Sequence, residues 1–399
     1  MASKIINELT VTGGNHCYGE IELQGDAQYT IFLIANFLVS SKKKFSIKNA
    51  CRAPIVQSYL EFLEKIGVTF VWDNSYDLTF EISNEFKGDL TQVESSQIDF
   101  VLITIPAFLY RKGQVTISRK VFSSEINFYT DLGVFADYED DSAILTLPLD
   151  NDDTHLHLEL VESPLHIVVS RILLKRVFRN LKIIYDEYDY RFDALKEEFL
   201  VDNSIVPFSP MEFSFYATLS VLTEGEISIS NYSLDLFLPF LLNLVELGGS
   251  YEVVDNRIKV WIEKSDIEPI YNFTHVNLDE LGYFLLILSK FAKEQVRINN
   301  KKTLGTEKLI RELNMIGAEI DYVSIDKPDG EYLKIFVKPA AIDFSLLTLF
   351  PTQIEINLVL FVAAFVSINR CKVDAISNIE KYFPFIRENI ANLSLDLGQ

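Results

Sequence analysis

The feature of the sequence that most restricts its fold is a repeated pattern of helix, glycine and two strands. In Lys308–Val337, apolar residues at helical spacing lead to Gly317, which can take the positive φ that ends a helix. Two strands follow, joined by a turn at Pro328-Asp329-Gly330. The same pattern recurs at Tyr59–Ile82, Phe128–Pro148 and Phe240–Ile262.

The helix-ending glycines of these segments are regularly spaced. Gly67 and Gly133 are 66 residues apart, and Gly248 and Gly317 are 69 apart. The middle interval of 115 residues is close to two periods with one glycine missing. This period is too long for a solenoid repeat. It suits a small α/β module that must bury its sheet against its neighbours.

Each module opens with a strand and an almost wholly apolar helix, which predicts a βαβαββ unit whose first helix is buried on all sides. Tyr18–Leu23 is the predicted opening strand of the first module. The third module is degenerate and runs into the acidic, tyrosine-rich stretch Asp186–Glu198. The last module ends in a predicted helix, Tyr382–Leu393, and lacks its own hairpin, which the N-terminal strands could supply. The predicted buried helices are Tyr29–Val39, Phe100–Tyr110, Ser163–Phe178, Met211–Leu222, Leu281–Ala292 and Gln353–Ile368.

Six such modules predict an α/β protein of two similar lobes, each with three buried helices surrounded by sheets. We place the upper lobe at residues 20–198, containing modules one to three. The lower lobe then comprises residues 1–19 plus 199–399, with modules four to six closed by the N-terminal strands. Ligand sites are common in clefts between such lobes.

Composition limits the function. The net charge of −21 argues against a nucleic-acid or anionic-membrane partner, because both need clustered Lys and Arg. Cys17, Cys51 and Cys371 match no disulfide or metal spacing and indicate a reducing compartment. The start of the chain has no apolar signal segment, and the run Leu358–Ile368 is too short to span a bilayer. We therefore expect a cytoplasmic protein.

Four local segments resemble one known family. Ile21–Leu23 runs into Gly25 and a buried helix, and Asp279 stands at the head of the fifth buried helix. Thr306-Glu307-Lys308-Leu309 is similar to the end of a K-E-T-D-R-L signature, and Lys381-Tyr382-Phe383-Pro384 is similar to K-[ST]-[FY]-P. These segments resemble the enolpyruvyl transferases, which include 5-enolpyruvylshikimate-3-phosphate (EPSP) synthase and UDP-N-acetylglucosamine enolpyruvyl transferase.

The resemblance covers nearly the whole chain. It implies the family's fold, a two-lobed inside-out α/β barrel of six βαβαββ modules, and a carboxyvinyl transferase of aromatic amino acid biosynthesis without a metal or other cofactor. By the same resemblance, Asp279 is an acid/base residue and Lys381 contacts phosphoenolpyruvate. Lys308, Glu307 and Gln28 are then expected to bind substrate.

The departures from the family's motifs are equally informative. Gly25-Asp26-Ala27-Gln28 has alanine where the family has a lysine, and Val121–Glu125 contains no arginine. Gln97-Ile98-Asp99-Phe100, Leu304-Gly305 and Thr352-Gln353-Ile354 replace other polar motifs of the family. Phosphoenolpyruvate carries a carboxylate and a phosphate, and burying both without cationic partners is prohibitive. The sequence therefore indicates that most of the cationic cleft has been lost.

Simpler interpretations exist for the candidate residues. A first-turn carboxylate such as Asp279 is favoured by the helix dipole whatever the function. Lys381, Glu307 and Lys308 are also consistent with exposed, solvated positions. His155-Leu156-His157 places two imidazoles on one face of a strand, but the spacing supplies no third ligand, so we predict no metal site.

Three functional hypotheses follow. The first is a diverged member of the family that has lost phosphoenolpyruvate-dependent transfer and acts as a binding or scaffold protein. The second is an active carboxyvinyl transferase with an altered acceptor, which uses Asp279 and Lys381. The third is a subunit whose cleft is completed by a protein partner that supplies cations. Phosphoenolpyruvate or another small anion is the expected ligand of the cleft, and a basic protein is the expected macromolecular partner.

Overall fold

The protein is described by a computed structural model, which divides the chain into two compact units. Unit 1 is Met1–Gln24 with Phe208–Gln399, and unit 2 is Gly25–Pro207. The predicted lobes change a few residues earlier, after residues 19 and 198. The residues that the structure describes are 9–74, 76–82, 89–92, 94, 97–148, 157–159, 165–178, 181–184, 190–196, 204–263, 267–273, 276–303, 305–327, 330–340, 353–367, 370–373, 376–395 and 397–398.

Two strands of unit 1 come first along the chain, β1 (Leu9–Thr12) and β2 (Tyr18–Glu22). Unit 2 follows with α1 (Ala27–Leu38), β3 (Lys44–Lys48), α2 (Pro54–Lys65), β4 (Val68–Trp72), β5 (Leu78–Ile82), β6 (Asp89–Leu90), α3 (Ile98–Lys112), β7 (Gln114–Ser118), α4 (Ser123–Asp131), β8 (Phe135–Tyr138), β9 (Ser142–Thr146), β10 (His157–Glu159), α5 (Leu165–Leu174), β11 (Lys182–Ile184), a 3₁₀ helix (Tyr190–Leu195) and β12 (Ser204–Ile205).

Unit 1 then resumes and contains the remaining elements of the chain. They are α6 (Pro210–Leu222), β13 (Glu226–Ser230), α7 (Leu234–Glu246), β14 (Gly249–Val254), β15 (Arg257–Ile262), β16 (Ile270–Phe273), α8 (Leu278–Phe291), β17 (Val296–Lys301), α9 (Thr306–Met315), β18 (Glu319–Lys327), β19 (Gly330–Lys338), α10 (Ile354–Val366), β20 (Arg370–Val373), α11 (Ile376–Glu380), α12 (Ile386–Asn392) and β21 (Leu397–Gly398).

Four sheets share one topology. Their strand orders are β12-β3-β5-β4, β6-β7-β9-β8, β14-β15-β13-β2 and β16-β17-β19-β18. In each, an opening strand lies parallel to the strand after the buried helix, as β16 does to β17. That second strand pairs antiparallel with the returning strand of a hairpin, as β17 does with β19. This arrangement is the predicted βαβαββ module.

The opening strands of the first and fourth modules differ from the prediction. The sequence assigns Tyr18–Leu23 to the first module, and this is wrong. Instead, β2 lies parallel to β13 in the sheet of the fourth module, with Ile21 opposite Ile229. In the first module, β12 takes the place beside β3, with Ser204 opposite Ile47. Parallel partners are joined by long crossovers, so local sequence does not specify which strand fills this position.

Of the two N-terminal strands predicted to complete the last module, β1 belongs to its sheet and β2 does not. β1 lies between β20 and β21, with Val11 opposite Cys371. The predicted closing helix Tyr382–Leu393 is instead the shorter α12, which begins at Ile386, and Lys381–Phe385 separate it from α11. Pro384 lies in this interruption, and proline has no N–H for a helical hydrogen bond.

The repeated glycines and apolar helices have the predicted roles. Gly67, Gly133, Gly248 and Gly317 follow helices and have φ of 96°, 84°, 91° and 95°. The first helices of the modules of unit 1, α6, α8 and α10, are buried along their whole length apart from their ends. Among the described residues, no helix is long and apolar enough to cross a membrane.

Candidate functional site

Asp279 lies in the first turn of the buried helix α8, at the position that the sequence predicts. Its side chain is only 2% exposed. Its Oδ2 accepts a hydrogen bond of 3.3 Å from Oγ of Ser214, a buried residue of α6. The carboxyl group is therefore held between two central helices of unit 1.

The head of α8 has a negative electrostatic field. Glu280 follows Asp279, and its Oε2 accepts a hydrogen bond of 3.2 Å from the backbone N–H of Asn277 before the helix. Removal from water and, secondly, repulsion by Asp279 raise the pKa of Glu280 to about 8. One turn later, burial raises the pKa of Tyr283 well above its usual value, and Asp279, Glu280 and Glu355 raise it further.

The other two central helices of unit 1 also begin with carboxylates. Glu355 is in the first turn of α10, and the buried Glu212 is in the first turn of α6. Glu212 accepts hydrogen bonds from the N–H of Gln24 at 3.3 Å and from Nδ2 of Asn389 at 3.4 Å. Burial, and then Glu212, raise the pKa of Tyr216 well above its usual value. Helix N-termini attract anions. The N-terminus of each of these three helices holds an acidic side chain from its own first turn.

The turn before α9 lies directly against the heads of α8 and α10. A Cβ on Gly305 would lie 2.3 Å from Oε1 of Gln353 and 2.8 Å from Cδ2 of Leu278. Gly305 has φ of +95°, so both its conformation and the lack of space favour glycine. The segment that resembles the K-E-T-D-R-L signature therefore begins beside the first turn of α8, whose Asp279 and Glu280 form the acidic cluster of α8.

Glu307 and Lys308, both predicted to bind substrate, lie in the first turn of α9. Oε1 of Glu307 is 3.0 Å from Nζ of Lys302, which also lies 2.9 Å from Oε2 of Glu331. Hydrogen bonds to Glu331 and then Glu307 raise the pKa of Lys302. Lys308 instead lines an open groove of 760 Å³ between α9 and β18. Their substrate-binding roles stay predictions.

Lys381, the predicted phosphoenolpyruvate contact, is exposed in the segment between α11 and α12. Its Nζ lies 6.0 Å from the centroid of the Tyr382 ring. The position just after a short helix leaves the ammonium group in solvent, and its role in binding an anion also stays a prediction.

In unit 2, Gln28 lies at the head of α1 and contacts an arginine that the sequence did not indicate. Nη1 of Arg191, from the 3₁₀ helix, donates a hydrogen bond to Oε1 of Gln28. Asp26 caps α1 by accepting a hydrogen bond of 2.7 Å from the N–H of Tyr29. A cation thus reaches the helix end where Ala27 replaces the lysine of the family's motif.

The 3₁₀ helix is attached along α1 by further polar contacts. Nδ2 of the buried Asn36 donates to the carbonyl oxygens of Ala194 at 2.9 Å and Lys196 at 3.1 Å. Burial raises the pKa of Tyr29, and Asp193 contributes to the shift. The interleaved tyrosines and acidic residues of this stretch were the only sequence signal that it has a specific role.

Within the described ranges, no three His, Cys, Asp or Glu residues come together as a possible metal site. His155 of the paired imidazoles lies outside the described residues, as do Leu304, Thr352 and the turn residues Pro328 and Asp329.

Comparison with known proteins shows the fold. No protein-family model matches the chain, and no curated protein matches its sequence. The crystal structure of the enolpyruvyl transferase NikO from Streptomyces tendae matches with a TM-score of 0.72 and 15% identity, covering 98% of this chain and 99% of that chain. EPSP synthase from Acinetobacter baumannii matches with TM-scores of 0.63 and 0.64 in two structures, both at 11% identity and covering 98% of this chain and 100% of that one.

This chain therefore has the mixed α/β, two-lobed fold of the EPSP synthase type, with a sequence that has diverged far from those proteins.

Proposed function

We propose that this protein retains the enolpyruvyl transferase fold as a binding protein and no longer performs ordinary phosphoenolpyruvate-dependent transfer. The observation that carries the proposal is the negative field at the head of α8. Burial and, secondly, Asp279 raise the pKa of Glu280 to about 8, and burial raises that of Tyr283, with three nearby carboxyl groups adding to the shift.

The raised pKa of Glu280 has a direct implication for anion binding. Glu280 keeps its proton near neutral pH because burial and, secondly, the neighbouring Asp279 make a negative charge at that place unfavourable. Phosphoenolpyruvate would add a phosphate and a carboxylate to the same region. Its binding would then need cations close enough to offset both the existing carboxylates and the loss of hydration.

The heads of the central helices support the same conclusion. An enzyme that binds phosphorylated substrates benefits from open helix N-termini, whose N–H groups and dipole attract anions. In unit 1, Glu212, Asp279 and Glu355 occupy the first turns of α6, α8 and α10. These side chains satisfy the helix dipoles within the protein and reduce the gain from an external anion.

Thermal unfolding in the presence of ligands tests this proposal. Phosphoenolpyruvate, shikimate 3-phosphate and UDP-N-acetylglucosamine are added singly and in pairs, with release of inorganic phosphate measured in parallel. We expect no rise in Tm and no phosphate release from the wild type, which would direct the search to basic protein partners. A ligand at a hundred times its Kd would stabilise the protein by about 2.7 kcal/mol, so a clear shift with a pair of ligands would contradict the proposal.

A variant separates the effect of charge from the effect of shape. In Asp279→Asn/Glu280→Gln, the two carboxyl groups are replaced by amides of nearly the same size. If repulsion excludes phosphoenolpyruvate, this variant should show a larger Tm shift with that ligand than the wild type. Equal responses would mean that these carboxylates are not what opposes binding.

A second candidate function is enolpyruvyl transfer to an altered acceptor, in which Asp279 acts as the acid/base residue. It is favoured by the buried Asp279–Ser214 hydrogen bond and by Arg191, which brings a cation to Gln28. The test is phosphate release from phosphoenolpyruvate with a set of acceptors that lack a phosphate. Asp279→Asn and Lys381→Ala should abolish release, and the exposed control Lys112→Ala should not. Transfer that survives both substitutions would eliminate this candidate.

A further inference from the structure

The strand β18 differs from the corresponding strands of the other modules. It has nine residues, whereas β4, β8 and β14, which hold the same position in their sheets, have five, four and six. From Asp321 to Lys327 every residue is exposed or partly exposed, so both faces of the strand meet solvent there. Length and exposure make this strand the most accessible of the four.

β18 is also an edge strand. It stands at the end of its sheet, and β19 is its strand partner within the described part of the chain. The backbone N–H and C=O groups on its outer side can pair with another strand. Proteins usually shorten or block such edges, yet here Tyr322 is 40% exposed and Val323 55% exposed.

The sequence of β18 is complementary to itself in the antiparallel direction. If two copies pair about Val323, all nine residues find partners, and Glu319 lies opposite Lys327 at both ends. On the same face, Asp321 is diagonal to Lys327 of the second copy, within the range of cross-strand contacts. Each Lys327 then faces two carboxylates, and Val323 packs on its own equivalent at the centre.

The side chains of this face point to solvent in the single chain. Val323 lies opposite the exposed Lys334 of β19, and Ile325 opposite Tyr332. Nζ of Lys327 is 3.7 Å from the centroid of the Tyr332 ring, which holds the ammonium group on this face. The charged partners of the paired arrangement are therefore available without rearrangement of the hairpin.

The opposite face of β18 offers a second complementary feature. The groove beside this strand is lined by Lys308, Arg311 and Tyr322, and neither cation forms an ion pair with any residue that the structure describes. In the paired arrangement, Asp326 of the second copy lies opposite Ile320, which also lines the groove. A carboxylate of the second copy is thereby brought beside the groove that Arg311 lines.

We propose that β18 pairs antiparallel with β18 of a second copy, so that two four-stranded sheets become continuous in a symmetric dimer. The interface is isologous, because each copy contributes the same strand. It is independent of the function proposed above, since none of its residues belongs to the acidic cluster of α8.

Sedimentation equilibrium over a series of concentrations tests the dimer. We expect the mass to rise from 45.7 kDa towards twice that value with increasing concentration. Lys327→Glu should remain monomeric, since it places glutamate opposite Glu319 and near Asp321. The exchange Glu319→Lys/Lys327→Glu should restore association. Lys334→Glu is the matched control, because it makes the same charge change on the neighbouring strand away from the edge, and it should associate like the wild type.

Circular dichroism establishes that each variant is folded, and Val323→Glu provides an independent variant that places two carboxylates at the centre of the pair. A wild type that stays at 45.7 kDa at every concentration would overturn the proposal. So would a Lys327→Glu or Val323→Glu protein that dimerises like the wild type, or a charge exchange that fails to restore the dimer.

Discussion

Nη2 of Arg171 lies 2.7 Å from Oε2 of Glu125 and joins α5 to α4 in unit 2. Both side chains are buried, and the guanidinium group stacks 3.4 Å from the centroid of the Phe128 ring. The ion pair links the second module to the degenerate third module, in which only a two-stranded sheet is described.

Breaking this ion pair should destabilise unit 2 strongly. Arg171→Met leaves the carboxylate of Glu125 buried without its cation, which typically costs about 3–5 kcal/mol. Replacing both residues, as Arg171→Met/Glu125→Leu, should recover most of the loss because no buried charge remains. Chemical denaturation measures the free energies of unfolding. A double variant as unstable as Arg171→Met would show that the packing of the guanidinium group on Phe128, rather than charge, is what matters.

Glu280→Gln should stabilise the protein in alkaline but not in acidic solution. The pKa of Glu280 is raised from 4.5 to about 8 on folding, so the folded state keeps a proton that the unfolded state has lost. The contribution of Glu280 to stability therefore falls as pH rises from about 4.5 to about 8. Glutamine removes this pH-dependent loss and can still accept the hydrogen bond from Asn277.

The measurement is the free energy of unfolding of wild type and variant at pH 5 and pH 9. One pKa unit corresponds to about 1.4 kcal/mol, and we expect the gain at pH 9 to be at least of that order. Glu388→Gln, in the first turn of α12 and exposed, is the control and should show no such pH dependence. A constant difference between Glu280→Gln and wild type at both pH values would contradict the prediction.

Gly282→Ala should destabilise unit 1 although alanine favours helix formation. In α8, a Cβ at this position would lie 2.5 Å and 2.8 Å from the two methyl carbons of Val359 on α10. The gain in helix propensity is about 1 kcal/mol, and overpacking a core costs about 1–3 kcal/mol. We expect a lower Tm for Gly282→Ala and partial recovery in Gly282→Ala/Val359→Ala. A Tm above that of the wild type would show that α8 and α10 separate easily.

The three thiols should be unreactive in the native protein. Cys17, Cys51 and Cys371 are buried thiols, and burial raises the pKa of Cys17 to about 11. Thiolate is the reactive form, so an aromatic disulfide reagent at pH 8 should give little colour before unfolding and three equivalents after it. Rapid reaction of one equivalent with the folded protein would show that one of these sites opens.

Local chemistry explains which parts of the fold could be predicted from the sequence. The helix ends at Gly67 and Gly317 depend on a positive φ that glycine adopts without strain. The buried helices depend on runs of apolar residues. Both features can therefore be recognised in short segments of sequence. By contrast, the opening strand of the first module is β12 and that of the fourth is β2, and this depends on which distant strand lies parallel to β3 and to β13. The later start of the closing helix, α12, does not follow from its apolar spacing, although Pro384 marks the non-helical segment before it.

The candidate site shows the same division. The resemblance to the enolpyruvyl transferases indicates Asp279, whereas Glu355 and Glu212 match no family motif and are indicated only by their places in the first turns of apolar helices. The contact of Arg191 with Gln28 joins residues 163 positions apart, and no local pattern indicates it. Side-chain partners at such separations follow from the tertiary fold alone.

The placement of β1 and β2 also determines the order in which the protein can be completed during synthesis. Unit 2 is one continuous segment, so every strand it needs emerges from the ribosome together. By contrast, β2 cannot pair until β13 has been synthesised. β1 cannot pair until β20 has been synthesised, since Leu9 in β1 pairs with Val373. At roughly 5–20 residues per second, β1 spends about 20–70 s without its partner strand. β1 is thus incorporated only after β20 has been made, and until then its backbone groups are open to pairing with other strands.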